Sequence, residues 1–596
     1  MRNPAAGPIC LPDYAHLVTD LLANLDPEQH AVATAVNGPV IVLAGAGTGK
    51  TRAITHRIAY AVSTGAHQAD ASMAVTFTVR AANEMKARLQ QLGVTGVQVR
   101  TLHASALQLV QYFWPEIIGG APPAICDNTD AVLERALQKH GLTPDRALVR
   151  DVSAEISWTK AMRYSVDEYL QNSTSRSLTA QLTPSRISEI MQSYDQMLNA
   201  NHECDLSDIV LLAAAMMEDQ PRIAASFTNR YQHFTVDEYQ DISPAQQHLL
   251  DQWWAGRDSV CVVGDPGQAI YGFAGANSSF LIDLQQRFEN ATVAKLTRSY
   301  RSAPAIVHAA NSFAEIPTIS QRDIPGSIEI NSAADVKAEA GAIASWISNQ
   351  VSAGIPLNQI AVLTRLNAQL SAIDSALNQI GLATNLTQQR GGIDLMTIHA
   401  AKGLEWQAVV VAGVTDQLMP YQAFGIPLTE DQYAEERRLF YVALTRAADK
   451  LLISYSRDRG ASEFLGVLAA DTATDLMTNQ STVTKRKVSS ETSTKPAVAS
   501  CRFCQKGLVT SVEIASVRCE ACAPWVDKDL MTKLQEWRAI QAQHEEVADF
   551  LIFTDATLKA VAEVGDLAEA MTIGIAGITA TKVEKYQADL AALFSK

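Results

Sequence analysis

An α/β fold with parallel sheets is what this sequence predicts, and three observations predict it. Strand-like apolar runs, "VIVLAG", "SMAVTFT", "HFTVDEY" and "SVCVVGD", alternate with helix-like stretches such as "RAANEMKARLQQLG". The first run enters a Gly-rich turn, "LAGAGTGKT" (43–51), ahead of a helical pattern. After about residue 290, strand-like runs resume with "IAVLTRL", "GIDLMTIH", "AVVVAGV" and "KLLISYS", which predicts a second α/β unit.

The elements follow in order. Residues 1–103 and 231–285 make the first sheet domain. Between them, 104–230 reads as helices ("AVLERALQKHG", "RISEIMQSYDQML") and predicts an inserted helical subdomain. Residues 286–469 make the second sheet domain. The Ser/Thr-rich stretch 470–500 has few large apolar groups and predicts a flexible linker. A cysteine module at 501–524 and a helical tail at 525–596 complete the chain. At 596 residues the chain is too long for one core, so this division is expected.

Composition narrows the class. Apolar content of 47% and charged content of 19% describe a globular protein. A formal net charge of −15 argues against a surface coated in basic groups, though not against a local nucleic-acid groove. The N-terminus has no long apolar h-region, and no run reaches the length of a membrane span. A cytoplasmic protein is expected; the bacterial, nucleoid-associated setting comes only from the family resemblance given below. Four cysteines, Cys10, Cys126, Cys204 and Cys261, are scattered; the other four form two C-x-x-C pairs, which fits a reducing compartment with one metal site.

The chemistry starts at the loop Ala44-Gly45-Ala46-Gly47-Thr48-Gly49-Lys50-Thr51. Small residues let backbone N–H groups curl around phosphate oxygens, and the next helix adds its N-terminal dipole. Lys50 reaches the β- and γ-phosphates of ATP, the Thr51 hydroxyl ligates Mg²⁺, and Arg52 follows among the nucleotide contacts. Position 44 is Ala where the strict pattern has Gly. "TVDEYQD" (235–241) supplies the other half. Asp237, at a strand end, can hold Mg²⁺; Glu238 can orient and deprotonate the attacking water.

The ordered stretches "LDPEQHAVA", "AGAGTGKT", "VTFTVRAANEMKARL", "RTLHA", "VDEYQD", "VVGDPGQAIYGFAGA", "RSYRSAPAIVHAAN", "IAVLTRLNAQ", "LMTIHAAKGLEW" and "EERRLFYVALTRA" resemble the UvrD/PcrA/Rep helicases of superfamily 1. The resemblance implies two RecA-like domains with ATP between them and 3′-to-5′ movement on single-stranded DNA. It implies that Gln29 reads the adenine edge, Tyr300 stacks on the base and Glu405 bonds the ribose. It also implies that Gln268 senses the γ-phosphate and that Arg301 and Arg446 act as arginine fingers. The alternative for Arg437, Arg438 and Arg446 is a solvated helix face.

For DNA, the resemblance places Phe77, Tyr271 and Phe273 as base-stacking faces and His103, Asn367 and His399 as hydrogen-bonding contacts. Core packing is the alternative for Phe77 and Phe273. The chain departs from the family with Phe273-Ala274 where Trp-Arg is common and Val79-Arg80 where Asn-Lys is usual. After "GLAT" (381–384) the family opens into a large subdomain called 2B, whereas here "DLMTIHAAKGLEW" begins at Asp394. The 2B subdomain is therefore expected to be absent.

Cys501, Cys504, Cys519 and Cys522 stand as C-x2-C, fourteen residues, C-x2-C. The spacing suits a closed tetrahedral Zn²⁺ site of structural type. An iron–sulfur cluster or an unmetallated module are the alternatives. The tail resembles the helicase-and-RNase-D C-terminal (HRDC) domain, with Ala576 and Thr579 where Pro and Gly are frequent. Core, tetracysteine motif and HRDC-like tail together resemble one branch of UvrD-like proteins. The tail's twelve Asp/Glu against seven Lys/Arg favour a protein contact over DNA binding. The expected function is a DNA-dependent ATPase and helicase acting on single strands and 3′-tailed duplex in repair or replication. Its rivals are an ATP-gated binding factor that does not unwind and, ranked low for lack of room, a helicase–nuclease of the AddA type.

Overall fold

The computed structural model describes residues 21–173, 182–387, 391–422, 428–468, 528–544, 553, 555–569, 578 and 580–594. Two compact units divide the chain, Met1–Thr482 and Val483–Lys596.

The first unit holds two main parallel sheets. One has six strands: β1 (Val40–Ala44), β2 (Ser72–Thr76), β3 (Gln98–Thr101), β4 (His233–Val236), β5 (Val260–Gly264) and β6 (Thr292–Leu296), in the order β3-β2-β4-β5-β1-β6. β2 and β5 are buried at every position, as strands covered on both faces must be. Apolar clusters lie on each face: Met73, Val75, Phe234 and Val262 on one, Val42, Ala74, Cys261 and Val263 on the other. Val40 to Ala44 pair with Thr292 to Leu296 in register. The first sheet therefore extends past residue 285, where the sequence reading ended that domain. The reason is the sheet edge: β6 closes β1, although exposed residues such as Thr292 and Val293 weaken its apolar signature.

The second sheet has five strands: β7 (Ser327–Ala333), β8 (Ile360–Thr364), β9 (Asp394–Thr397), β10 (Trp406–Val411) and β11 (Ala447–Ser456), in the order β7-β11-β10-β8-β9. Between β8 and β9 the chain runs through the helix Leu370–Gln379, then Thr384 bridges Ile393 one residue before β9.

The helical insertion is divided by packing. Helices Leu102–Ile117 and Leu206–Asp219 bury Leu109, Val110, Ile209 and Ala213 in the first-sheet core. Helices between Thr129 and Ala200 enclose their own core around Leu133, Ile156, Tyr169 and Ile190.

In the second unit, helices Lys528–His544, Asp555–Val564 and Ala580–Phe594 share a core of Leu534, Phe553, Leu558, Val561, Tyr586 and Leu590. The expected linker and all four cysteines of the C-x-x-C pairs lie outside the described residues. No helix among the described residues is long and apolar enough to cross a membrane.

Candidate nucleotide site and single-strand path

The phosphate loop depends on left-handed glycines. Gly47 has φ 74° and Gly49 φ 78°, which a side chain resists. A Cβ on Gly49 would lie 2.8 Å from Gln29 Nε2, and one on Gly47 would lie 2.7 Å from the Arg301 Cβ. Gln29 is buried and donates Nε2 to the Thr48 carbonyl at 3.0 Å. The Tyr300 N–H donates to the Gly47 carbonyl at 2.9 Å. The Tyr300 ring is half exposed, and its hydroxyl donates to Asp26 at 2.6 Å. Gln29 and Tyr300 thus flank the same loop. The Thr48 hydroxyl donates to the Gly45 carbonyl, and Arg52 donates to the Asn24 carbonyl.

Lys50 opens the helix Lys50–Ser63. Its ammonium is buried, lies 3.6 Å from Glu238 Oε2 and makes no hydrogen bond. Burial opposes its charge, yet Glu238, then Asp265 and Asp237, raise its pKa. A buried cation with open donors at a glycine loop fits a phosphate chain.

β4 ends at Asp237 and Glu238. Burial, then Glu238, holds the Asp237 carboxyl above the ordinary carboxylate range. Burial opposes ionisation of Glu238 too, but Lys50 and then Lys402 hold it below that range. Glu238 has φ 53° and ψ 44°, a left-handed conformation costing about 1–2 kcal/mol outside glycine. Its N–H donates to Asp237 Oδ1 at 3.0 Å and Gln240 donates to its Oε2 at 2.6 Å, which hold the turn. Thr51 lies in the first turn of the helix and Asp237 is a buried carboxyl after β4, the hydroxyl and carboxylate oxygen types that Mg²⁺ takes. Among the described residues there is no cluster of three or more His, Cys, Asp or Glu placed to hold a metal.

The second sheet domain closes the site. Arg446 is buried and donates to Gln268 Oε1 at 3.1 Å and to the Leu404 carbonyl at 3.1 Å. Burial, then Arg301, lowers its pKa to about 9. Gln268 in turn donates to Asp265 Oδ2 at 2.6 Å. Arg301 pairs with Glu405, the residue expected at the ribose. The sequence reading did not single out Asp265 or Lys402. Asp265 directly follows the buried strand β5, a position that favours site residues in parallel sheets.

Lys402 joins this site to an aromatic row. Its ammonium lies 2.6 Å from Asp241 Oδ2, donates to the Gln268 carbonyl at 2.5 Å and sits 5.0 Å above the Tyr271 ring. Phe77 stacks on Tyr271 with centroids 5.6 Å apart, Phe273 follows at 6.2 Å, and His399 meets Phe273 edge-on at 5.5 Å. Phe77 is 42% and Phe273 55% exposed, so neither is a core residue. Burial, then Arg365, pushes the His399 imidazole down to about 4. His103, in the helix Leu102–Ile117, and exposed Asn367, after β8, are not members of this stack.

A glycine phosphate loop, two successive carboxylates and cations reaching in from a second parallel-sheet domain define a two-domain P-loop nucleoside triphosphatase. Family comparison is more specific. The description "UvrD/REP helicase N-terminal domain" matches residues 25–289. "UvrD-like helicase C-terminal domain" matches 294–391 and 384–458, and "HRDC domain" matches 527–593. The ATP-dependent DNA helicase UvrD2 of Mycobacterium tuberculosis is 32% identical over 697 positions, covering 96% of this chain and 98% of that protein. A probable DNA helicase of Mycoplasma pneumoniae is 28% identical over 72% of this chain and 83% of its own length. The ATP-dependent DNA helicase PcrA of Bacillus subtilis is 28% identical over 62% of this chain and 51% of its own. The chain belongs to the UvrD/REP helicase family and carries an HRDC domain.

Proposed function

We propose that this helicase, a DNA-dependent ATPase of the UvrD/REP family, moves 3′ to 5′ along single-stranded DNA and opens 3′-tailed duplexes in DNA repair or replication. The observation that carries the reading is Lys402. It touches Asp241 next to the paired carboxylates, the backbone of Gln268 and the face of Tyr271. A strand stacked on the aromatic row and a nucleotide on the loop would therefore act on one ammonium group.

In this reading Thr51 and Asp237 hold Mg²⁺, which supplies neutralising charge to the phosphates. Glu238, kept ionised by Lys50, takes the proton of the attacking water. Lys50, Arg301 and Arg446 stabilise the charge that builds on the transferring phosphoryl oxygens. Gln29 steadies the loop, and Tyr300 offers a half-exposed ring to the base. Loss of the terminal phosphate would change the contact between Gln268 and Arg446, and with it the fit of the two sheet domains that grip the strand. Phe77, Tyr271 and Phe273 supply stacking faces worth about 1–3 kcal/mol per base; His103, Asn367 and His399 add hydrogen bonds.

Two further features belong to this reading. Cys501, Cys504, Cys519 and Cys522 hold one structural zinc, supported by their spacing alone. On this reading no 2B subdomain opens between Thr384 and Asp394. In support, Thr384 pairs with Ile393, and the C-terminal family description matches in two pieces that meet at 384–391. The alignment to the Mycobacterium tuberculosis protein also spans more positions than this chain has residues. Duplex grip is then weaker and unwinding less processive unless residues 501–596 supply that grip, and the tail's acidic balance favours a protein partner for it instead.

The test measures ATP hydrolysis with and without single-stranded DNA, streptavidin displacement from biotinylated strands, and unwinding of a 3′-tailed duplex. A chain ending near residue 470 is run beside the full protein. Stimulated hydrolysis without displacement would replace the motor by an ATP-gated clamp.

A further inference from the structure

Tyr441 lies in the helix Glu430–Leu444 of the second sheet domain, five residues before Arg446, and is 2% exposed. The Ala46 N–H of the phosphate loop donates to its hydroxyl at 3.2 Å. A phenol can accept and donate at once. Among the described residues nothing accepts the Tyr441 hydroxyl proton. The ring packs against Gly267: a Cβ there would lie 3.3 Å from Tyr441 Cε1. Gly267 precedes Gln268, which bonds Arg446. Asp265, Arg446 and Arg301 are the charged groups that act on the hydroxyl. Burial raises its pKa, so it stays a donor.

These neighbours place the hydroxyl in the site. Gln29 and Tyr300 mark the base end. Lys50, Glu238, Gln268 and Arg446 mark the terminal-phosphate end, and Tyr441 stands with them. We propose that Tyr441 reads the nucleotide state: its oxygen holds the Ala46 amide while its proton is donated to a γ-phosphate oxygen. A diphosphate leaves that proton without its acceptor. The helix that carries Tyr441 also ends beside Arg446, so one element would register the terminal phosphate through two side chains. The inference rests on the nucleotide site assigned above and extends it by a residue that the sequence reading did not single out.

The test uses full-length protein and the Tyr441→Phe variant, which removes one oxygen. Binding of a non-hydrolysable ATP analogue and of ADP is measured, each with Mg²⁺. Loss of a hydrogen bond to a charged group weakens analogue binding about tenfold or more, while ADP binding changes less than about twofold. Equal weakening of both nucleotides, or of neither, overturns the proposal. As a second measurement, 3-fluorotyrosine at position 441 in otherwise unchanged protein is followed by fluorine NMR. Its resonance should shift with the analogue and not with ADP; the same response to both refutes the assignment. Wild-type protein that binds neither nucleotide would instead remove the nucleotide site itself, and Tyr441's role with it.

Discussion

Arg446 Nη2 lies 3.1 Å from Gln268 Oε1, a buried bond between the helical end of one sheet domain and the strand-end loop of the other. Arg446 also acts electrostatically on Lys50, at the start of the helix that follows the loop. The bond is a contact that a terminal phosphate can enter and that its departure can change. Arg446→Ala should leave nucleotide binding within a few fold and lower kcat by about 10³, the scale of an arginine finger. Steady-state hydrolysis beside analogue binding checks this, and an unchanged kcat would return Arg446 to a packing role.

Glu238→Gln keeps the size of the side chain and the Asp237 carboxylate. Hydrolysis should fall on the order of 10²–10⁴-fold while ATP and DNA still bind. Lys50→Ala in the same assay should abolish hydrolysis, because among the described residues Lys50 is the only lysine whose buried ammonium has no hydrogen-bond partner. Loss of nucleotide binding in the glutamine variant would mean that Glu238 supports the loop instead of serving the water.

Lys402→Met strands Asp241, which is 3% exposed, without its cation. Breaking a buried pair in this way costs about 3–5 kcal/mol. Lys402→Met with Asp241→Asn should recover much of that stability. It should not recover stimulation of hydrolysis by single-stranded DNA, since the link to Tyr271 is gone. Denaturant melts and DNA-stimulated hydrolysis on the two variants separate stability from coupling.

At the end of β4 opposite Asp237, His67 and His233 stack with ring centroids 3.7 Å apart beside Arg57. Burial, then His233 and Arg57, pushes the His67 imidazole down to about 4 from 6.5. The unfolded chain therefore binds the proton more readily. The contribution of His67 is fully present above pH 6.5 and is lost as pH falls from 6.5 towards 4. Melting temperature between pH 7 and 5 should fall less steeply in His67→Gln than in the wild type; parallel slopes would contradict the assignment.

Cys501→Ala with Cys504→Ala should release one zinc and loosen the C-terminal unit while hydrolysis survives in part. Elemental analysis of wild-type protein purified under reducing conditions decides it. Absence of metal there removes the zinc reading.

Local signals in the chain are enough for the loop at 44–51, the Asp237–Glu238 pair and the alternation of strands with helices, because each is written in neighbouring residues. The same holds for the short connection after Thr384, since it is a matter of length. The extent of the first sheet was not legible at β6. A half-exposed edge strand has a weak apolar pattern, and only its pairing with β1 assigns it. Helices Leu102–Ile117 and Leu206–Asp219 carry ordinary amphipathic patterns; which core they join depends on what folds against them. Asp265, Lys402 and Tyr441 are common residue types whose significance lies in long-range neighbours: Lys402 meets a carboxylate 161 positions away and Tyr441 an amide 395 away. Local pattern reports on the residue's own turn or strand. Charge pairing, desolvation and the meeting of two sheet domains depend on distances that only the folded chain sets.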